Sequence, residues 1–237
     1  MSLPAPALSP AASAREQVAE LQSRISSMEA TKLSSKTLPT LPALADILPG
    51  GGLKQGAAYS VAGSTTLAMA LLAGPSQSGA WCGVVGLPDF GAEAATRFGI
   101  DLARLVLVPT PGDQWLTVTA ALVDVLTVVV TRAPLRTSEA DVARLGARLR
   151  QRGCTLVVMG AWPQSETQLS ITTSRWTGLG QGHGYLSGRE VTVTSTGRGG
   201  LGRSRSARLW LPDQAQGFRT VETLRRVGSS LPAAAAG

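Results

Sequence analysis

Short apolar runs alternate with helical patterns through the middle of the chain. Five runs are apolar almost throughout and predict buried β-strands: residues 57–61, 81–87, 105–109, 125–131 and 154–161. Short helices are predicted near 92–98 and 115–123, and a longer one begins at the N-cap Ser138 and ends at Gly153. Continuously apolar strands separated by amphipathic helices are typical of a parallel sheet covered on both faces. The sequence therefore predicts an α/β domain.

The pattern changes after Pro163. Three segments alternate apolar and polar residues: 169–176, 189–196 and 206–212. Glycine-rich stretches separate them and are typical of turns. We therefore expect antiparallel strands that extend the sheet in the C-terminal third of the chain.

The ends of the chain differ from this middle part. Residues 1–12 are rich in Pro, Ala and Ser and are predicted to be disordered, and 13–40 are predicted to form a helix and a linker. The helix carries an apolar stripe made of Ala14, Val18, Leu21, Ile25 and Met28. About two heptads are too few for a stable coiled coil, so the stripe must pack on its own domain, on another subunit or on a partner.

We predict one domain over 41–218, approached through a helical turn and a glycine-rich stretch, and an interaction segment with a flexible tail over 219–237. In that last segment Val221, Leu224 and Val227 are spaced three apart and could bind in a groove. The candidate partner-binding residues are Val18, Leu21, Ile25, Met28, Val221, Leu224, Arg225 and Val227.

Positive charge is concentrated in the C-terminal third. The net charge is +7, and residues 175–226 hold nine arginines against three acidic residues. This excess favours an anionic partner, nucleic acid first, although a preference for Arg over Lys also suits a GC-rich genome. The candidate DNA-binding residues are Arg198, Arg203, Arg205 and Arg208, with Trp176, Tyr185 and Trp210 as candidates for base stacking.

Composition excludes several classes of protein. No apolar run reaches the ~18 residues of a membrane span, and the N-terminus does not resemble a signal peptide, so we expect a cytoplasmic protein without membrane attachment. With one histidine, His183, and two cysteines in apolar runs, no Cys/His metal cluster is possible. Cys82 and Cys154 are expected to be small buried thiols.

The stretch "YSVAGSTTLA" at 59–68 predicts a strand that enters a helix through Gly63, Ser64, Thr65 and Thr66. A phosphate loop occupies this place in nucleotide-binding proteins, but it needs several more residues and a lysine before the Ser/Thr. The strand that should end in a Walker B aspartate ends instead at Thr131. These absences, and the lack of a catalytic triad, predict a protein that is not an enzyme and holds no nucleotide cofactor or metal.

The ordered segments "LPGGGLKQG", "STTLA" and "RFGIDLARL" resemble the core of RecA-family recombinases over about 41–210, and within that family the chain is similar to ImuA-type accessory proteins of actinobacteria. The resemblance implies a RecA-like fold whose phosphate loop has degenerated. It places Thr66 at the former Mg²⁺ hydroxyl position, Thr131 at the Walker B acid position, and Pro88 or Asp89 near the catalytic glutamate.

The resemblance also implies a function. We expect a non-catalytic adaptor in the DNA-damage (SOS) response that binds an ImuB-like, inactive Y-family polymerase homologue and so helps assemble an error-prone C-family polymerase for translesion synthesis. Nucleoid association under damage and self-association are compatible with this role. The alternative is a DNA-binding RecA-like module that regulates recombination or repair without hydrolysing ATP.

Overall fold

The computed structural model describes residues 37–179, 184–197, 204–213, 215 and 217–221. The strands are β1 Thr37–Leu38, β2 Leu53–Lys54, β3 Ala58–Ala62, β4 Cys82–Val85, β5 Leu105–Val108, β6 Val128–Thr131, β7 Thr155–Met159, β8 Thr167–Leu179, β9 Gly184–Gly197, β10 Arg205–Trp210 and β11 Arg219–Thr220. The α-helices are α1 Pro42–Ala45, α2 Thr65–Gln77, α3 Ala92–Arg97, α4 Trp115–Val125 and α5 Glu139–Arg152. Short 3₁₀ turns occupy 49–51, 102–104 and 112–114.

In the described part of the chain, nine strands form one sheet in the order β11-β10-β9-β8-β3-β7-β6-β4-β5. The six strands from β8 to β5 in this order are parallel, whereas β9, β10 and β11 are antiparallel to their neighbours. The α/β prediction and the antiparallel extension are confirmed. Strand β8, predicted to be simply antiparallel, runs parallel to β3 and antiparallel to β9, because it joins the two halves of the sheet.

Each face of the parallel half is covered by helices. Helix α2 packs against one face and is buried at every residue from Leu67 to Ser76, which is why its sequence is apolar all round. Helices α4 and α5 cover the opposite face, where Leu145 and Leu149 of α5 pack against β6 and β7. Alternate residues of each strand therefore enter two separate cores.

The two helices on that second face are joined by ion pairs. Asp124 of α4 accepts hydrogen bonds from Arg148 at 2.7 and 2.5 Å and from Arg152 at 3.2 Å. The Arg148 hydrogen bonds hold the pKa of the Asp124 carboxyl below its ordinary value. Helix α5 begins and ends as predicted: Ser138 Oγ accepts from the Asp141 amide, and Gly153 adopts a left-handed conformation.

The segment before β3 belongs to the domain to a greater extent than predicted. Residues 37–40 were predicted to be linker, but β1 pairs with β2. Leu44 and Leu48 are fully buried beneath the antiparallel half of the sheet, and Ser195 Oγ donates to the Ile47 carbonyl at 2.6 Å. Local sequence could not reveal this, because these side chains find their partners about 150 residues later. Among the described helices, none is long and apolar enough to cross a membrane.

Candidate functional site

The turn between β3 and α2 is a helix cap in this structure. Gly63 has a positive φ of 63°, and Ser64 Oγ accepts a hydrogen bond from the Leu67 amide at 3.2 Å. Only these two residues separate β3 from α2, so the turn has no room to wrap a phosphate with successive amides. Thr65 and Thr66 stand half-buried in the first turn of the helix. Capping is therefore the visible role of the Ser64 hydroxyl.

Thr131, the residue that the resemblance places at the Walker B acid position, is buried and hydrogen-bonded within the protein. Thr131 is 0% exposed, and its Oγ1 accepts a hydrogen bond from Trp115 Nε1 at 2.7 Å. Trp115 begins α4, is itself buried, and packs edge-on against Trp162 with ring centroids 6.4 Å apart. The indole N–H can only donate a hydrogen bond, and in this buried position the Thr131 hydroxyl oxygen accepts it. Sequence reasoning missed this partner.

Asp89 lies near the predicted position of a catalytic glutamate, but it faces a cation. Its carboxylate is 3.7 Å from the Arg132 guanidinium, which follows directly after β6. Both side chains are largely exposed, so the pair is worth little in stability. Among the described residues, no group of three His, Cys, Asp or Glu side chains is placed to hold a metal ion.

Two concave regions flank these positions. A cleft of about 460 Å³ lies outside the carboxyl ends of β4, β6 and β7 and is lined by Gly86, Trp115, Arg132, Leu135 and Met159 among others. Crevices at the carboxyl ends of parallel strands commonly bind ligands in α/β proteins. Here the wall is mostly apolar, and among its described residues Arg132, already paired with Asp89, is the one charged side chain.

The second concave region, which we call the hairpin groove, has a volume of about 480 Å³. It lies between the first turns of α2, helix α3 and the β8–β9 hairpin. The residues used below are Thr66, Met69, Phe98, Trp176, Leu186 and Pro212. Sequence analysis did not predict this groove, because its walls come from four separate parts of the chain, around residues 65–69, 89–98, 176–187 and 212.

The two cysteines are buried, as predicted. Burial raises the pKa of Cys82 and of Cys154 to about 12. Both thiols therefore stay protonated at neutral pH and are poor nucleophiles.

The described arginine candidates do not form one surface. Arg205 donates to the backbone carbonyls of Asp46 and Leu48, at 3.5 and 3.4 Å. Arg208 is ion-paired with Glu190. Because side chains alternate along a strand, these two arginines lie on opposite faces of β10. Arg198 and Arg203 lie outside the described residues, as does His183.

The aromatic candidates are better placed for binding. Trp176 is 48% exposed and Tyr185 is 89% exposed, both on the β8–β9 hairpin. Trp210 is only half-buried and lies under the Arg219 guanidinium, 5.8 Å from its ring centroid. The hairpin is therefore the most accessible aromatic surface that the structure describes.

Of the candidate partner-binding residues, only Val221 is described. Its amide donates to the Arg208 carbonyl at 2.9 Å, so it prolongs β11 along the edge of β10. The rest of the set lies outside the described residues: Val18, Leu21, Ile25, Met28, Leu224, Arg225 and Val227.

Comparison with known proteins identifies the family and a relative of this chain. The family model of the MT3502 N-terminal domain matches residues 46–164, from the end of the α1 segment to the residues just before β8. The chain belongs to the MT3502 N-terminal domain family. A relative in Mycobacterium tuberculosis, "Uncharacterized protein Rv3395c", is 32% identical over 164 residues, which cover 65% of this chain and 80% of that protein. The family match thus covers five of the six parallel strands, β3 to β7, and stops before β8 and the antiparallel extension.

A solved structure is similar in fold. The flagellar accessory protein FlaH from Methanocaldococcus jannaschii superposes with a TM-score of 0.53 at 10% identity, covering 79% of this chain and all of that one. At this identity the likeness concerns the fold alone, which is RecA-like.

Proposed function

We propose that this member of the MT3502 N-terminal domain family is a non-catalytic RecA-like adaptor in DNA-damage-induced translesion synthesis. It would bind an ImuB-like Y-family polymerase homologue in the cytoplasm and help assemble an error-prone C-family polymerase complex. The resemblance to ImuA-type proteins, carried by "LPGGGLKQG", "STTLA" and "RFGIDLARL", supports the pathway. A mycobacterial relative is consistent with the actinobacterial character of that resemblance.

The main support for a non-catalytic role is the buried hydrogen bond that Trp115 Nε1 donates to Thr131 Oγ1. A RecA-like ATPase needs a carboxylate at this position to help hold Mg²⁺ beside the phosphates. The position here is uncharged, buried and already bonded to an indole. The two-residue turn at Gly63 and Ser64 and the missing lysine support the same proposal.

The C-terminal segment is the proposed contact with the polymerase homologue. The described chain ends at Val221, which prolongs β11 on the outer edge of the sheet. Residues 222–228 follow this edge strand in the sequence and contain Leu224, Arg225 and Val227. Because Thr220 and Val221 bond to β10, a truncation that tests this contact should begin at residue 222.

Coexpression with an ImuB-like protein tests this proposal. We expect the intact chain to copurify with it equally with and without ATP. Removal of 222–237 is expected to reduce copurification at least about tenfold, whereas removal of 229–237 alone, the Ala-rich tail, leaves it unchanged. Both truncated proteins should unfold at the same temperature as the intact one. Failure of the folded intact chain to bind, or binding that needs ATP, would contradict the adaptor role.

Direct DNA binding is a second proposal. It is favoured by the exposed aromatic side chains of the β8–β9 hairpin rather than by the candidate arginines of the sequence analysis. Tyr185 could stack on a base, a contact worth roughly 1–3 kcal/mol, with Arg175 of the same hairpin near the phosphates. We expect a fluorescent single-stranded oligonucleotide to bind at least tenfold more weakly at about 200 mM than at about 50 mM salt. Tyr185→Ala should weaken binding further. An affinity that does not depend on salt would exclude phosphate contacts.

A further inference from the structure

The hairpin groove is open on one side and mostly apolar, with Thr65, Thr66, Asp89 and Ser187 as its polar lining residues. Met69 and Phe98 form one wall, Trp176 and Leu186 the other, and Pro212 contributes to the lining. Trp176 and Leu186 are 48% and 51% exposed, so two large apolar side chains of one wall remain open to solvent. Burial of these side chains would be favourable, so the groove is suited to an apolar occupant.

Trp176 is held in place before any occupant arrives. The Arg189 guanidinium lies 5.5 Å from the centroid of the indole ring, and Arg189 Nε donates to Ser174 Oγ at 2.8 Å. The Arg189 backbone is fixed in turn, because its amide donates to the Pro212 carbonyl at 2.7 Å. An aromatic side chain immobilised in this way loses little entropy on binding, which is typical of an interface anchor.

The chain itself contains a segment with matching chemistry. Residues 14–28 carry the apolar stripe described above, which is too short to be a stable helix by itself. They precede the first described residue, Thr37, by eight linking residues, 29–36. The tether keeps the segment at a high effective concentration near its own domain, so it competes strongly with any free partner.

The geometry allows the segment to reach the groove. Pro39 packs directly on Gly74 of α2, since a Cβ at Gly74 would lie 2.6 Å from the Pro39 carbonyl oxygen. Gly74 is eight residues from Thr66, about 12 Å along the helix axis. The eight linking residues span up to about 27 Å when extended. The groove therefore lies within the range of the linker.

We propose that residues 14–28 bind as an amphipathic helix in the hairpin groove of the same chain, with the stripe against Trp176, Leu186 and Met69. This assigns the N-terminal stripe to its own domain and leaves the C-terminal segment as the contact with the polymerase homologue. The groove opens beside the β3–α2 turn, so the bound segment would also cover the place where RecA-like ATPases hold phosphate.

Hydrogen–deuterium exchange of the full chain tests this proposal. We expect the amides of 14–28 to exchange at least about tenfold more slowly than in an unstructured peptide. Leu186→Glu places a charge in the groove and should remove most of this protection. Leu179→Glu is the matched control, because Leu179 lies on the same hairpin, is 67% exposed and does not line the groove. Leu21→Glu should reproduce the effect of Leu186→Glu from the other side.

Each alternative occupant gives a different result. Protection that increases with protein concentration would mean that a second copy fills the groove, and protection only after the ImuB-like protein is added would mean that the partner does. Either result overturns the proposal, as does equal protection in Leu186→Glu and wild type or no protection in wild type. The pull-down experiment does not depend on this outcome, because it varies only residues after Val221.

Discussion

Thr131→Asp is expected to lower the free energy of unfolding by about 3 kcal/mol or more at neutral pH. The substitution would introduce the acid typical of a Walker B strand, but it would bury a carboxylate at a position that is 0% exposed and where the Thr131 hydroxyl accepts a hydrogen bond from Trp115 Nε1. Burial disfavours the charged form, so the introduced carboxyl should have a raised pKa in the folded protein. Urea unfolding at several pH values measures the effect.

The sign of the pH dependence follows from that raised pKa. Between the unfolded pKa and the higher folded pKa, the folded state of the variant binds more protons than the unfolded state, so stability falls as the pH rises. The penalty at position 131 should therefore be smaller near pH 4 than at pH 8. Two controls separate charge from shape. Thr131→Ser keeps the acceptor and should cost little, whereas Thr131→Val leaves the indole N–H unpaired and should cost about 1–3 kcal/mol.

The result also bears on the proposed function. If Thr131→Asp were as stable as wild type at pH 8, the position could accommodate a carboxylate, and the main support for a non-catalytic protein would be removed. A large penalty would mean that this interior position does not accept a carboxylate, which supports the proposed non-catalytic role.

Gly74→Ala is expected to destabilise the protein by about 2 kcal/mol, although alanine is the better helix former by about 1 kcal/mol. A Cβ at this position in α2 would lie 2.6 Å from the Pro39 carbonyl oxygen, 2.8 Å from the Thr40 Cα and 3.0 Å from the Leu41 amide nitrogen. All three atoms belong to the backbone, so relief requires movement of the whole segment before α1. Thermal or urea unfolding measures the change.

Gly146→Ala in α5 is the matched control. Its Cβ would meet Gln164 Oε1 at 3.0 Å and Arg150 Nη1 at 3.5 Å, which are the ends of flexible side chains. They can move aside, so the helix propensity gain of about 1 kcal/mol should remain. If the two variants were equally stabilised, residues 39–41 would not pack against α2 as described.

Much of the parallel half of the domain is encoded locally. Strands β3, β4, β5 and β7 were predicted to within about two residues, because each is a continuous apolar run between turn residues. Strand β6 begins at Val128 rather than at 125, since Val125 still belongs to α4 and the Leu126 amide bonds to the Leu122 carbonyl. Helix α5 was predicted at both ends from its capping residues.

For the candidate site, the sequence showed which phosphate-site residues are missing but not which residues stand in their place. The missing lysine and the threonine at the end of β6 are visible in the sequence, because motifs at the ends of strands have fixed spacings. What replaced them is not visible. The indole that fills the acid position lies 16 residues earlier in the chain, and only the packing of α4 against β6 brings Trp115 to Thr131.

The sequence by itself determined the α/β class, the approximate bounds of β3, β4, β5, β7 and the helices α3 to α5, and the absence of a phosphate-loop motif after β3, all of which depend on neighbouring residues. Tertiary structure decided the features that join distant residues. It made β8 the parallel partner of β3, buried Leu44 and Leu48 under strands formed much later in the chain, and bonded Arg205 to the carbonyls of Asp46 and Leu48. It also built the hairpin groove from four parts of the chain, because long-range burial, unlike local periodicity, leaves no fixed spacing in the sequence.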